Sequence, residues 1–138
     1  MYSRIMVPVD LAHKDSLSKA VDTASALAAL WGAELVLVGV AANTPGSIAH
    51  TPEEFRAKLK AYADEQGAAH GINAQGKAVI SHDPATDLDP SLLKTADEMG
   101  ADLIVMATHL PNLSDYIWPS NGGTVAGRAK ASVMLVRP

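Results

Sequence analysis

Two stretches of this chain share one pattern: a bulky apolar residue, Gly, Ala, an acid, then an apolar run. They are Trp31-Gly32-Ala33-Glu34-Leu35-Val36 and Met99-Gly100-Ala101-Asp102-Leu103-Ile104. Glycine just past an amphipathic segment commonly ends a helix, because it takes up left-handed backbone without a steric penalty. Each stretch therefore predicts a helix that stops at its glycine and turns directly into a buried strand. Two such turns imply βαβ units, since parallel strands need a crossover and the crossover is usually a helix. The shared turn chemistry points to a fold class and not to internal duplication.

The remaining segments fit that frame. Ile5 to Val9 reads as a short buried strand, with Pro8 near its end giving up one ladder hydrogen bond. Leu17, Ala20, Val21, Ala24, Leu27, Ala28 and Trp31 fall on one helical stripe, and Leu35 to Ala41 is a second strand. After a loop from Asn43 to His50, broken by Pro45 and Gly46, Thr51-Pro52-Glu53-Glu54 reads as a capped helix start. Phe55, Leu59 and Tyr62 form that helix's apolar face, and Gly71 ends it. Ala74 to Ser81 is a weaker strand, interrupted by Gly76 and suited to a sheet edge. Asp89-Pro90 predicts the start of a third helix, with Leu92, Leu93, Ala96 and Met99 inward. Ser132 to Val136 is the last strand, so the expected class is α/β with five parallel strands and about four helices.

Composition narrows the function. With 138 residues, 48% of them hydrophobic and 19% charged, the chain can bury a core and is expected to form one domain over residues 1–138. Aromatics make up only 4%, so that core is aliphatic. A net charge of −4 without any Lys/Arg run argues against nucleic-acid binding. No cysteine is present, which removes disulfides, thiolate metal sites and cysteine nucleophiles. No signal-peptide pattern and no bilayer-length apolar stretch occur, so a cytoplasmic protein with no membrane partner is expected.

Catalytic patterns are sparse. Gly76-Lys77 lacks the leading glycine of a phosphate-binding loop, and no Gly-x-Ser-x-Gly elbow occurs. His13, His50, His70, His82 and His109 lie far apart without metal-ligand spacing and read as scattered surface histidines. Asp83, Asp87 and Asp89 read as turn and capping residues. Ser120-Asn121-Gly122-Gly123-Thr124 reads as the opening of the last helix, with Ser120 as N-cap. N–H groups and hydroxyls at such a helix start suit phosphate oxygens, although ordinary capping accounts for the same residues. Gly122, Gly123 and Gly127 lack the spacing of a dinucleotide fingerprint, and Gly127 reads as a helix-packing position.

Three motifs carry a resemblance. The chain opens with Val7-Pro8-Val9-Asp10, its penultimate strand reads Ala101-Asp102-Leu103-Ile104-Val105-Met106-Ala107-Thr108-His109, and it closes with Ser132-Val133-Met134-Leu135-Val136-Arg137. At this spacing the chain resembles the universal stress protein family from end to end. The resemblance implies a Rossmann-like, adenine nucleotide alpha hydrolase-like three-layer sandwich. It also implies a regulatory stress-response module, not a dedicated catalyst, that binds ATP or AMP, with Mg accompanying ATP. Weak ATP hydrolysis stays open as a side activity.

Thr108-His109-Leu110-Pro111 and Tyr116-Ile117-Trp118-Pro119-Ser120-Asn121 are similar to the family's F/G-type branch. Leu110 and Leu113 stand where nucleotide-binding members carry glycines, and Pro119 stands in place of another. By the resemblance, the nucleotide lies between the first and fourth strands. Pro8, Val9, Asp10, the backbone of Val40, Thr108, His109, Ser120, Asn121, Gly122, Gly123 and Thr124 would line its site. The alternative role of Asp10 is to cap the turn that follows it, and Trp118 could cover a base or meet another subunit. Val133, Met134, Leu135 and Val136 would form a homodimer interface. The alternative, a nucleotide-free dimer acting on an unknown protein partner, is favoured by the glycine replacements.

Overall fold

The computed structural model describes residues 1–108 and 122–138. Five strands form one parallel sheet: β1 (Arg4–Val9), β2 (Glu34–Ala42), β3 (Ala74–Ser81), β4 (Leu103–Ala107) and β5 (Ser132–Val136), in the order β3-β2-β1-β4-β5. The crossovers are α1 (Lys14–Trp31), α2 (Pro52–His70), α3 (Pro84–Met99) and α4 (Gly122–Arg128). Helix α1 packs on β1 and β4 and against α2; α3 packs on β2 and β3 and against α4, which gives the three layers. The strand order reverses between β1 and β4, the place where doubly wound sheets open a crevice.

All three helix-to-strand turns predicted at glycines are present. Gly32, Gly71 and Gly100 have φ of 64°, 64° and 67°. After them, Ala33 N–H donates to Ala28 O at 2.9 Å and Ala101 N–H to Ala96 O at 3.0 Å, the paired geometry of the repeated motif. The motif's acids converge on the start of β1. Glu34 Oε2 lies 2.9 Å from Arg4 Nε, and the Asp102 carboxylate accepts from Ser3 N–H at 2.8 Å and Arg4 N–H at 3.0 Å. Burial pushes the Asp102 carboxyl up, but the backbone donors of Arg4 and Ser3 outweigh it and hold it below the usual range.

The aliphatic core runs through Ile5, Met6, Val7, Leu35, Leu37, Leu103, Ile104 and Met106, under Leu17, Val21 and Ala24 of α1. As the weak pattern of β3 suggested, that strand is an edge. Its Gly76 is required by α2: a Cβ there would lie 3.0 Å from Leu59 Cγ and 3.1 Å from Leu59 O.

Two expectations need correction. Helix α3 begins at Pro84, not at Asp89-Pro90, and Pro90 lies inside it. The apolar stripe extends one turn further back to Leu88, which is buried together with Leu92 and Ala96. Burial of that leucine outweighs the hydrogen bond that Pro90 cannot make. Asp87 and Asp89 are therefore helical residues, and Asp89 is not a cap. Gly127 is not a packing position either: a Cβ there would meet nothing within 4 Å.

Candidate functional site

Strand β1 is central, so Pro8 must leave a ladder bond unmade on one side. The ladder with β2 runs unbroken from Arg4↔Glu34 to Val9↔Gly39. The ladder with β4 registers only Ile5↔Leu103 and Met6↔Ile104, stopping before the proline. Strand β2 in turn outruns β1 by Val40, Ala41 and Ala42. Backbone groups alternate sides along a strand, so part of this overhang faces the space where β1 has ended.

A cavity of about 370 Å³ occupies that space, within the range of small-molecule sites. Val9 and Asp10 of β1 and Val40 of β2 line it, as do the loop after β2, Phe55 of α2 and Leu88 of α3. The loop wall is tied down locally. Gly46 N–H donates to Ala49 O at 2.9 Å, and Lys58 Nζ donates to Ile48 O. Thr51 Oγ1 caps α2 by accepting from Glu54 N–H at 3.1 Å. Glu54 Oε2 reaches back to the N–H of His50, one residue before the capping threonine, at 3.1 Å. That backbone donor first, and Lys58 second, lower the Glu54 carboxyl below its usual range.

The predicted residues divide into three groups. Val9, Asp10 and Val40 share the cavity, while buried Pro8 acts from behind it by ending the ladder with β4. Thr108 follows β4; its N–H is engaged by Val136 O at 2.9 Å, which leaves its side chain and carbonyl. Gly122, Gly123 and Thr124 form the first turn of α4, which buried Val125 anchors. His109, Ser120 and Asn121, with Leu110, Leu113, Trp118 and Pro119, lie outside the described residues.

Asp10 is a cap in fact. Its Oδ1 accepts from Ala12 N–H at 3.0 Å, opening a 3-10 turn over Leu11–His13, and its Oδ2 lies 2.9 Å from His13 Nδ1. Other histidines read as scattered also have partners: His70 Nε2 lies 3.2 Å from Asp22 Oδ1, and His82 Nδ1 lies 3.1 Å from Asn43 Nδ2. No group of three His, Asp or Glu among the described residues is arranged to hold a metal ion. No helix among them is long and apolar enough to cross a membrane.

Sequence reading missed the loop wall from Thr44 to Ala49, Phe55 and Leu88. Two signals were available. Pro45-Gly46 follows a strand's carboxyl end, where ligand loops gather, and Phe55 is the one phenylalanine of the chain. Among the described lining residues the Asp10 carboxylate is the sole charged side chain. Hydroxyls of Thr44, Ser47 and Thr51 accompany aliphatic walls, a lining that suits a planar, uncharged moiety.

Fold and cavity together define a doubly wound α/β domain whose described pocket opens at the carboxyl ends of β1 and β2, on the β2 side of β1 and not between β1 and β4. The model of the universal stress protein family matches residues 1–137, and the chain belongs to that family. Universal stress protein G of Shigella flexneri is 27% identical over 151 aligned positions, spanning 99% of this chain and all of that protein. A universal stress protein solved in complex with cAMP superimposes with a TM-score of 0.70 at 24% identity, over 98% of this chain and 97% of the other. The universal stress protein from Archaeoglobus fulgidus in complex with dAMP gives 0.68 at 19%, covering 97% of each. These likenesses bear out the fold and the family reading, including the resemblance to the G-type branch.

Proposed function

We propose that this universal stress protein is a cytoplasmic, homodimeric regulatory module of one domain that binds an adenine nucleotide, ATP or AMP. The observation that carries the reading is the 370 Å³ cavity at the carboxyl ends of β1 and β2, beside the strand reversal. The cavity receives base and ribose, with the β2 overhang from Val40 offering backbone groups to the base edge and Asp10 at the ribose. The lining described carries no cation, so the phosphates extend toward the β4 side. The Thr108 hydroxyl, together with the residues that the family resemblance implies, His109, Ser120, Asn121, Gly122, Gly123 and Thr124, would meet them. Mg²⁺, when ATP is the ligand, arrives on the phosphates. The cAMP and dAMP complexes of structural neighbours support this ligand class.

Binding, not turnover, is the proposed role, because phosphoryl transfer needs a base held at the phosphates, and Asp10, the charged side chain of the described lining, is placed at the ribose end. Homodimerisation is assigned to β5, the sheet edge, where Met134 and Leu135 are exposed. The absence of a cation from the described lining also favours a second reading, a nucleotide-free dimer that acts on a protein partner.

The deciding experiment releases small molecules from freshly purified protein by acid, identifies them by chromatography, and titrates ATP and AMP into the emptied protein. Saturation at about 100 times Kd adds roughly 2.7 kcal/mol to stability, a clear rise in melting temperature. An empty protein without any shift would leave the partner-binding reading. Turnover of labelled ATP, compared between wild type and Asp10→Ala, separates hydrolysis at this site from binding.

A further inference from the structure

Among the described residues the cavity has one aromatic wall, from the chain's single phenylalanine, and the sheet beneath that wall is cut away to fit it. Phe55 sits one turn into α2, donates its N–H to Thr51 O at 3.1 Å, and lines the cavity while only 8% exposed. Its ring lies over Gly39. A Cβ at that position would lie 2.8 Å from the ring's Cζ and 3.2 Å from Cε1, closer than carbon atoms pack. Gly39 is also the last β2 residue in register with β1, so the ring rests where the overhang begins.

The other apolar walls among the described residues, Val40, Ile48 and Leu88 included, are aliphatic. The Thr51 cap and the Glu54 contact with His50 hold the first turn of α2, and Leu59 packs behind the ring on the same glycine. The ring is therefore a fixed wall.

We propose that Phe55 sets the depth of the cavity and is its specificity-determining residue, presenting its ring to the nucleobase and excluding bases that carry bulky substituents. Gly39 is the positioning residue that allows the ring to lie there. This rests on the adenine-nucleotide reading above. Contact between a base and an aromatic ring is strong enough to read in a titration, and loss of a wall group shows as acceptance of a larger ligand.

The test titrates AMP, and AMP analogues carrying a benzyl group on N6, C2 or C8, into wild type, Phe55→Ala, Phe55→Leu and Gly39→Ala. Circular dichroism and melting curves check the fold of each. Wild type is expected to bind AMP and reject the benzyl analogues. Phe55→Ala should bind AMP about tenfold more weakly and at least one analogue about tenfold more tightly. A destabilised fold alone would not produce that gain. Phe55→Leu, which keeps most of the core volume, should shift the same way by less and carries the test should the alanine variant not fold. Gly39→Ala, which displaces the ring from the opposite side, should weaken AMP severalfold.

If wild type binds AMP and the folded Phe55 variants keep every affinity within about twofold, Phe55 has no such role, although the nucleotide reading stands. If wild type binds neither AMP nor ATP, the nucleotide reading fails first and this proposal with it.

Discussion

Asp10 occupies two roles that substitution can pull apart. Its Oδ1 accepts the N–H of Ala12 and its Oδ2 meets His13 Nδ1, so truncation to alanine removes a cap and an exposed side-chain contact together. A lost N-cap costs about 1 kcal/mol, and a pair as exposed as this one adds a few tenths at most. For a chain of this length that predicts a fall in melting temperature of about 3–6 °C for Asp10→Ala. Asp10→Asn keeps an oxygen for the Ala12 N–H and should recover most of that loss. Nucleotide affinity then separates the roles. If Asp10 also contacts ribose, Asp10→Asn melts near wild type but binds AMP about tenfold or more weakly, as expected for a lost charged hydrogen bond. Calorimetric titration beside a thermal melt reads both quantities on the same samples. An asparagine variant with wild-type affinity would refute the ligand role, and an alanine variant with wild-type melting temperature would refute the cap.

Gly76→Ala should destabilise by about 1–2 kcal/mol, because its Cβ meets the backbone of Leu59 and not a movable side-chain tip; Gly127→Ala, facing open space in α4, should be neutral or slightly stabilising in the same urea titration. Equal stability of the two variants would overturn the close-approach account. Asp102 has a lowered carboxyl, so its contribution is present above the ordinary carboxylate range and is lost as pH falls through its own, lower value. Asp102→Asn should therefore be less stable near neutrality and show a flatter acid limb below about pH 4, and an unchanged limb would count against it. If the proposed homodimer forms through β5, arginine at both Met134 and Leu135 should convert it to a folded monomer by light scattering, and a dimer mass kept by the variant would refute that assignment.

The fold was legible because its signals are local. Each Gly that ends a helix takes the left-handed backbone the pattern required, and Thr51, Pro52 and Glu54 open α2 where the capping motif places them. The site was legible only along β1 and β2, since Val9, Asp10 and Val40 inherit their places from strand ends. The walls from Thr44 to Ala49 and from Leu88 were not, because loop packing and long-range burial set them and neither has a period in sequence. Pro90 misled for a related reason: local propensity stops a helix there, and the burial of Leu88 carries it through.

Three departures from local rules share an address. A proline in a central strand, a glycine in the middle of a buried one and a proline inside a helix each weaken the element that holds them. Pro8 coincides with the early end of the β1–β4 ladder, Gly39 makes room for the Phe55 ring, and Pro90 follows the turn that carries Leu88. Val9 beside Pro8, Phe55 above Gly39 and Leu88 before Pro90 all line the same cavity. Gly76 in β3 departs for a separate reason, the close approach of Leu59, while the caps of α2 and the strand pattern of the core agree with local preference. Where a sequence is otherwise consistent, elements weakened around one space mark the place where shape was kept at the expense of stability. Three such departures around one space support the proposed placement of the ligand in the β1–β2 cavity, on grounds separate from any relative.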